Sequence, residues 1–297
     1  MAIIVTGASG LLGSALVEAL RADGQEVVKL VRREPRAADE AFWQPAEQVI
    51  DLPALEGAEG VVHLAGASVG DRRWTTEYKR ELVDSRVSGT RLVVDALRQL
   101  SRPPEVLVSA SGVDFYGDTG DKVIDESQGK GTGFLADLCE AWEGEARKAG
   151  ASGVRTVQVR TGMALSAHGG ALGRMLPIFR MGLGAPLGSG KQYWSWISVD
   201  DWAGAVLHVL KNRGIEGPVN LTSPSPVTNA EFTRTLGKAL HKGTVPIPVP
   251  GFALAAGLGE FAREALLPGH RIIPRKLVDT GYRFTHTTLD DALSAIL

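Results

Sequence analysis

Apolar and polar positions along this chain of 297 residues change their period repeatedly, and each change marks an element. Ala2 to Thr6 is a short, almost wholly apolar run. Past Gly7 to Gly13 the period becomes helical, with Leu12, Leu16, Ala19 and Leu20 on one face and Glu18 and Arg21 off it. Glu26 to Arg33 predicts a second strand. Val61 to Gly66 predicts a buried strand ending in a glycine. Lys79 to Leu100 predicts a long helix, with Leu82, Val83, Arg86, Thr90, Val93, Val94 and Leu97 along one side. Glu105 to Ser111 is the next strand, Leu135 to Lys148 the next helix, and Thr156 to Arg160 the strand after that. Such alternation predicts an α/β fold: a doubly wound parallel sheet of Rossmann type with helices on both faces.

The rhythm then changes. Ala167 to Lys191 is glycine-rich and predicts a loop with one apolar patch from Leu172 to Phe179. Asp200 to Asn212 predicts a helix capped by Ser198 or Asp200. Pro218 to Leu221 predicts a late strand. After Thr222 the prolines at 224, 226, 246, 248 and 250 break the chain into a smaller, mainly helical carboxyl-terminal lobe. The expected division is a nucleotide-binding domain over 1–165, to which the chain returns at about 194–222, and a substrate lobe over 166–193 and 223–297.

The most informative chemistry lies in the first turn. Gly7-Ala8-Ser9-Gly10-Leu11-Leu12-Gly13 stands between a strand and a helix, as a cradle for a dinucleotide diphosphate requires. Gly7 permits the turn, Gly10 lets the backbone approach the phosphates, and Gly13 lets helix and strand pack closely. The free amides and positive end of the helix then face the anion. About twenty residues on, Arg32 and Arg33 close the second strand where an acidic residue would select NAD; arginine there suits the 2′-phosphate of NADP(H).

Composition narrows the partners. The chain is 44% hydrophobic and 22% charged, as globular chains are, and 32 Lys plus Arg against 34 Asp plus Glu gives no basic surface for nucleic acid or membrane. One cysteine, Cys139, excludes an internal disulfide and fits a reducing, cytoplasmic setting. The first strand starts at residue 2 without a charged leader, so no signal peptide is expected. Phe252 to Leu267 is apolar but interrupted by Glu260, Arg263 and Glu264, too charged to span a bilayer. The six histidines lack metal-ligand spacing, so no metal is expected. Gly184 to Gln192 imitates a phosphate loop, but its spacing is one residue too long, Pro186 interrupts it and Gln192 stands where Ser or Thr would hold magnesium.

Taken together, the glycine turn, His63-Leu64-Ala65-Gly66, and Ser111 followed by Phe115-Tyr116-Gly117 resemble the extended short-chain dehydrogenase/reductases, relatives of the sugar-nucleotide epimerases. The chain is most similar to the atypical branch called the epimerase family proteins. That likeness rests on Arg72-Arg73-Trp74-Thr75, Ser85-Arg86, Cys139 to Glu143, Gly188 to Gln192, Trp196 to Asp201, and the segments around Gly259 to Phe261 and Arg275 to Leu277. It runs from residue 2 to about 293. The resemblance implies cofactor contacts from Thr6, Gly7, Ser9, Gly10, Leu11, Leu12, Arg32, Arg33, Leu64, Ala65, Gly66, Glu81, Arg86, Cys139, Arg160 and Gly162. It implies a substrate-side role for Ser111, with Tyr116 the nearest phenol, and a small-molecule substrate handled by a monomer or homodimer.

One departure counts against the usual chemistry. Active members carry Tyr-x-x-x-Lys on the helix after Ser111, whereas Gly131 to Lys148 holds no tyrosine and offers Leu135-x-x-x-Cys139 instead. Two readings therefore stand: an NADP(H)-dependent oxidoreductase or epimerase-like enzyme drawing its proton from Ser111, Tyr116 or water, and a non-catalytic NADP(H)-binding sensor or regulator, since some members of the branch are labelled cell-division inhibitors. Arg72, Arg73, Trp74 and Lys79 are expected to form a basic, aromatic loop over the pocket mouth. Of Trp194 and Trp196, alternating on one strand, one is expected in the core and the other in the cleft.

Overall fold

The computed structural model describes residues 2–297. The first half runs β1 (Ala2–Thr6), α1 (Leu11–Ala22), β2 (Glu26–Val31), β3 (Glu40–Gln44), β4 (Val49–Ile50), α2 (Leu52–Leu55), β5 (Gly60–His63) and α3 (Thr76–Leu97). It continues β6 (Val106–Gly112), α4 (Phe134–Arg147), β7 (Arg155–Thr161), β8 (Met163–Leu165) and α5 (Gly170–Arg180). The remainder is β9 (Tyr193–Trp194), β10 (Trp196–Ser198), α6 (Val199–Lys211), β11 (Gly217–Leu221), β12 (Val227–Thr228), α7 (Asn229–Ala239), α8 (Gly251–Leu258), α9 (Arg275–Asp279) and α10 (Leu289–Ile296).

Eight strands form one sheet in the order β11-β7-β6-β5-β1-β2-β3-β4, parallel throughout except for β4 at the edge. The strand order reverses at β1, between β2 and β5, which opens a crevice at the carboxyl ends where ligands of such sheets gather. One face of the sheet packs with α1 and α6 through Val5, Leu16, Val17, Leu20, Trp202, Val206 and Val219. On the other, α3 packs through Val93, Val94 and Leu97 onto Ile4, Val61 and Leu107. Capping hydroxyls fix two helix starts: Thr75 Oγ1 accepts from the amide of Tyr78, and Ser198 Oγ from that of Asp201.

A third apolar cluster joins α5, α7 and α10 with Trp194 and Trp196. Here the structure corrects two expectations. The glycine-rich stretch contains a helix, α5, because Leu172, Leu176 and Phe179 recur at helical spacing and are all buried. Trp194 and Trp196 are both buried because they lie on separate strands with different partners, β9 on β12 and β10 on β8. Strand β3 has no counterpart in the sequence reading, although Ala41 and Trp43 alternate inward along it.

The segment from Gly269 to Ile273 stitches distant parts together. The amide of Thr119 donates to the carbonyl of Gly269, Ser195 Oγ donates to that of His270, and Asn220 Nδ2 to that of Ile273, while Ile272 bridges Ile124. Among the described residues no helix is long and apolar enough to cross a membrane.

Candidate functional site

The crevice begins at the glycine turn. Gly7 has φ +67, and a Cβ there would lie 2.9 Å from the carbonyl carbon of Leu64, so only glycine fits between β1 and the end of β5. A Cβ at Gly13 would stand 2.1 Å from the carbonyl oxygen of Gly7, which sets how closely α1 packs on the turn. At Gly10 a Cβ would meet nothing within 4 Å except the turn's own Gly7 oxygen, at 3.4 Å. That side is open, with Ser9 and Gly10 exposed. No side chain caps α1 and its first turn carries no acidic residue, so the amides of Leu11 and Leu12 and the positive end of the helix are left for an anion.

The strand ends beside the turn are held rigidly. Thr6 Oγ1 accepts the amides of Leu64 at 3.0 Å and Ala65 at 3.2 Å, so its own proton goes to His63 Nδ1 at 2.8 Å. His63 then carries its proton on Nε2, and burial lowers its pKa to about 4. The side chain of Thr6, fully buried, therefore shapes the Leu64-Ala65-Gly66 turn rather than reaching the cleft.

Of the two arginines after β2, only one is free. Arg33 forks onto Glu40 at 2.8 and 2.7 Å and donates to the carbonyl of Glu34. That bond holds the carboxyl of Glu40 down at about 2. Arg32 is exposed and has no side-chain partner among the described residues.

The α3 side corrects two more expectations. Trp74 is buried, donates to the carbonyl of Val69 and packs edge-on against Phe134 and Phe261, so it is a core residue and no stacking platform. Glu81, exposed, is paired with Arg72, whose guanidinium covers Tyr78. Arg86 differs: it lies over the Trp142 ring beside Gly66, and among the described residues it donates only to the carbonyl of Leu82 and faces no carboxylate within ion-pair distance. Burial pulls its pKa down, and the nearby Cys139 and Asp114 oppose that.

At the end of β6 the hydroxyls expected to serve chemistry are already engaged. Ser111 Oγ donates to Glu143 Oε1 at 2.7 Å. Glu143, with no exposed side-chain surface, also takes Arg160 Nε and Nη2, both at 2.8 Å. Arg160 is buried between this carboxylate and the rings of Phe115 and Tyr116, which places its side chain in the sheet's interior and not in the crevice. Tyr116 donates to Asn220 Oδ1 at 2.8 Å, and burial pushes its pKa up to about 12. Cys139 is buried and burial pushes its thiol up to about 12, so it stands there protonated. Gly162 is needed for packing, since a Cβ would meet the carbonyl oxygen of Ser195 at 2.6 Å.

One residue in this corner escaped the sequence reading. Asp114, half-buried, places Oδ2 2.9 Å from where a Cβ on Gly112 would stand, with Cys139 Sγ 3.6 Å from the same point. Its carboxylate has no hydrogen-bond or ion-pair partner among the described side chains. Its signal was its place, three residues past the serine that ends a central strand.

Comparison with known proteins matches residues 3–221 to the NAD dependent epimerase/dehydratase family and residues 249–296 to a domain of unknown function, DUF1731. An epimerase family protein of Mycobacterium leprae is 44% identical over 292 residues, covering 98% of this chain and 94% of its own length. The human epimerase family protein SDR39U1 is 36% identical over 300 residues, covering both chains in full. A crystal structure of that human protein with NADPH has a TM-score of 0.90 to this chain at 34% identity, covering 100% of this chain and 99% of the other.

Proposed function

The chain belongs to the NAD dependent epimerase/dehydratase family, in its atypical short-chain dehydrogenase/reductase branch, and on that premise we propose that it is an NADP(H)-binding enzyme acting on a small polar or nucleotide-linked substrate. The observation that carries this reading is the uncapped amino terminus of α1 over an open glycine turn, with unpaired Arg32 at the next strand end. Gly7, Ser9, Gly10, Leu11 and Leu12 would hold the diphosphate, Arg32 the 2′-phosphate, and Leu64 to Gly66 the adenosine side, with Arg86 the nearest unpaired cation. The human relative solved with NADPH supports the choice of NADP(H). When bound, NADP(H) supplies or accepts a hydride.

The proton is assigned to Asp114. Ser111 and Tyr116 have committed their hydroxyl protons to Glu143 and Asn220, so they position the end of β6. A half-buried carboxyl just past β6 that forms no hydrogen bond or ion pair with a described side chain can take or give a proton at a reacting oxygen. The test is a screen of nucleotide sugars and carbonyl compounds with NADPH, followed on any substrate found by Asp114→Asn. The variant should lose about 10²–10⁴ in kcat, the usual worth of general acid–base assistance, while Tyr116→Phe loses far less. Unchanged kcat in Asp114→Asn removes the assignment.

A second reading is favoured by Leu135 and buried Cys139, which stand on α4 where active relatives carry tyrosine and lysine. Tight NADPH binding with no turnover on any compound would make the protein a sensor or regulator.

A further inference from the structure

Strand β7 carries a pattern the nucleotide site does not explain. Val157 and Val159 face the core shared with α1 and α6, whereas Gln158 and Arg160 alternate with them and face the other side. Central strands of a doubly wound sheet are covered on both faces and read as apolar runs. Here the second face is roofed only in part, by α4 on one side and α9 on the other, and between them lies a groove of about 800 Å³.

Its floor is polar and unsatisfied. Gln158 is 1% exposed and Arg160 3% exposed, yet Gln158 Nε2, Gln158 Oε1 and Arg160 Nη1 have no hydrogen-bond partner among the described residues. Buried polar atoms without a partner are rare, and two side chains lining one groove are rarer. The rim adds Lys276, which has no carboxylate within ion-pair distance among the described residues, whereas Arg147 there is spent on Glu140 at 2.6 Å and Glu143 at 3.5 Å. Glu143 is neutralised by Arg160, and the Glu216 side chain is exposed while its carbonyl takes Lys276 Nζ at 2.7 Å. Arg155 also borders the groove, but its guanidinium is spent on the carbonyls of Val209, Leu210 and Ile215. The cation left with donors to spare is therefore Lys276.

We propose that this groove is a second ligand site, for a small phosphate-type oxyanion that keeps one P–OH. Its oxygens would accept from Arg160 Nη1 and Gln158 Nε2, and its hydroxyl would donate to Gln158 Oε1, with Lys276 balancing the charge. The occupant is inorganic phosphate, or a small phosphate monoester bound as its monoanion.

The test is calorimetric titration of inorganic phosphate, glycerol phosphate and sulfate into NADPH-saturated protein at neutral pH. It is repeated on Gly10→Val, whose blocked glycine turn cannot be the phosphate's seat, so failure of cofactor binding does not obscure the result. Sulfate has the charge but no proton for Gln158 Oε1, so phosphate should bind about tenfold tighter, the factor one hydrogen bond supplies. Gln158→Leu should erase that preference, and Lys276→Gln, at the rim, should weaken both anions; should Gln158→Leu not fold, the sulfate comparison and Lys276→Gln decide. Tighter glycerol phosphate names the monoester, and equal or weaker binding names the free ion. No saturable heat with any anion, or equal phosphate and sulfate affinity untouched by Lys276→Gln, overturns the proposal and leaves the groove to water.

Discussion

The two halves of the sheet use polar groups in opposite ways. Around β1 and β2 the amides of α1, Arg32 and the Leu64–Gly66 turn are left open, and what pairs there, Thr6 with His63 or Arg33 with Glu40, serves to hold the open groups in place. Around β6, β7 and β11 the same kinds of group are turned on one another: Ser111 and Arg160 on Glu143, Tyr116 on Asn220. Residue type does not separate a binding group from a structural one; whether each polar atom has an internal partner does.

The contrast breaks most visibly at Glu143. Glu143→Ala leaves Arg160 buried without its counter-ion, and loss of one partner of such a pair costs about 3–5 kcal/mol. Urea unfolding measures this, and a loss below about 1 kcal/mol would show that the cluster holds nothing together. On the open side Gly10→Val should leave the fold intact and remove stabilisation by NADPH, which at a hundredfold excess over Kd amounts to about 2.7 kcal/mol in the parent protein. Thermal melts with and without NADPH test it. Arg32→Asp should cut the preference for NADPH over NADH by about ten- to a hundredfold, the range of a charged hydrogen bond of roughly 1.5–3 kcal/mol. Arg33→Asp should change that ratio little, because its guanidinium already belongs to Glu40.

The smallest effect is a slope. His63 titrates at about 4 in the fold against 6.5 in a free chain, so folding favours its neutral form and the unfolded chain takes up the proton first. Its contribution is complete above the free-chain value and falls as pH drops toward about 4, by at most roughly 1.4 kcal/mol per pH unit. Denaturation midpoints across that window should fall less steeply in His63→Gln.

What the sequence made legible was local. The strand, glycine turn and helix of residues 2–22 declare themselves within one turn of each other, and the parallel sheet follows from the repeat of such units. The pairing of Arg33 with Glu40 was hidden because β3, which carries Glu40, has only five residues and two inward side chains. Ser111 looked available because its partner is thirty-two residues away on a helix whose register alone does not reveal what Glu143 faces. Glycines at 169, 170 and 173 masked α5, where three buried apolar side chains outweighed them. The polar alternation of β7 was readable and points to an incompletely covered sheet face.

The stitching by Gly269 to Ile273 has a consequence for the order in which the molecule is made. Its contacts reach back 150 residues to Thr119 and 75 to Ser195. Synthesis releases roughly 5–20 residues per second, and contacts so far apart in the chain close slowly. When a ribosome has delivered β1 to β5 and α6, the glycine turn has every neighbour it needs. The loop after β6 and the edge at β11 still wait for the last thirty residues. A nascent chain therefore carries every residue of its glycine turn and the flanking strands before it can close the opposite edge, and a ribosome stalled near residue 265 would hold a protein whose far edge is unlatched.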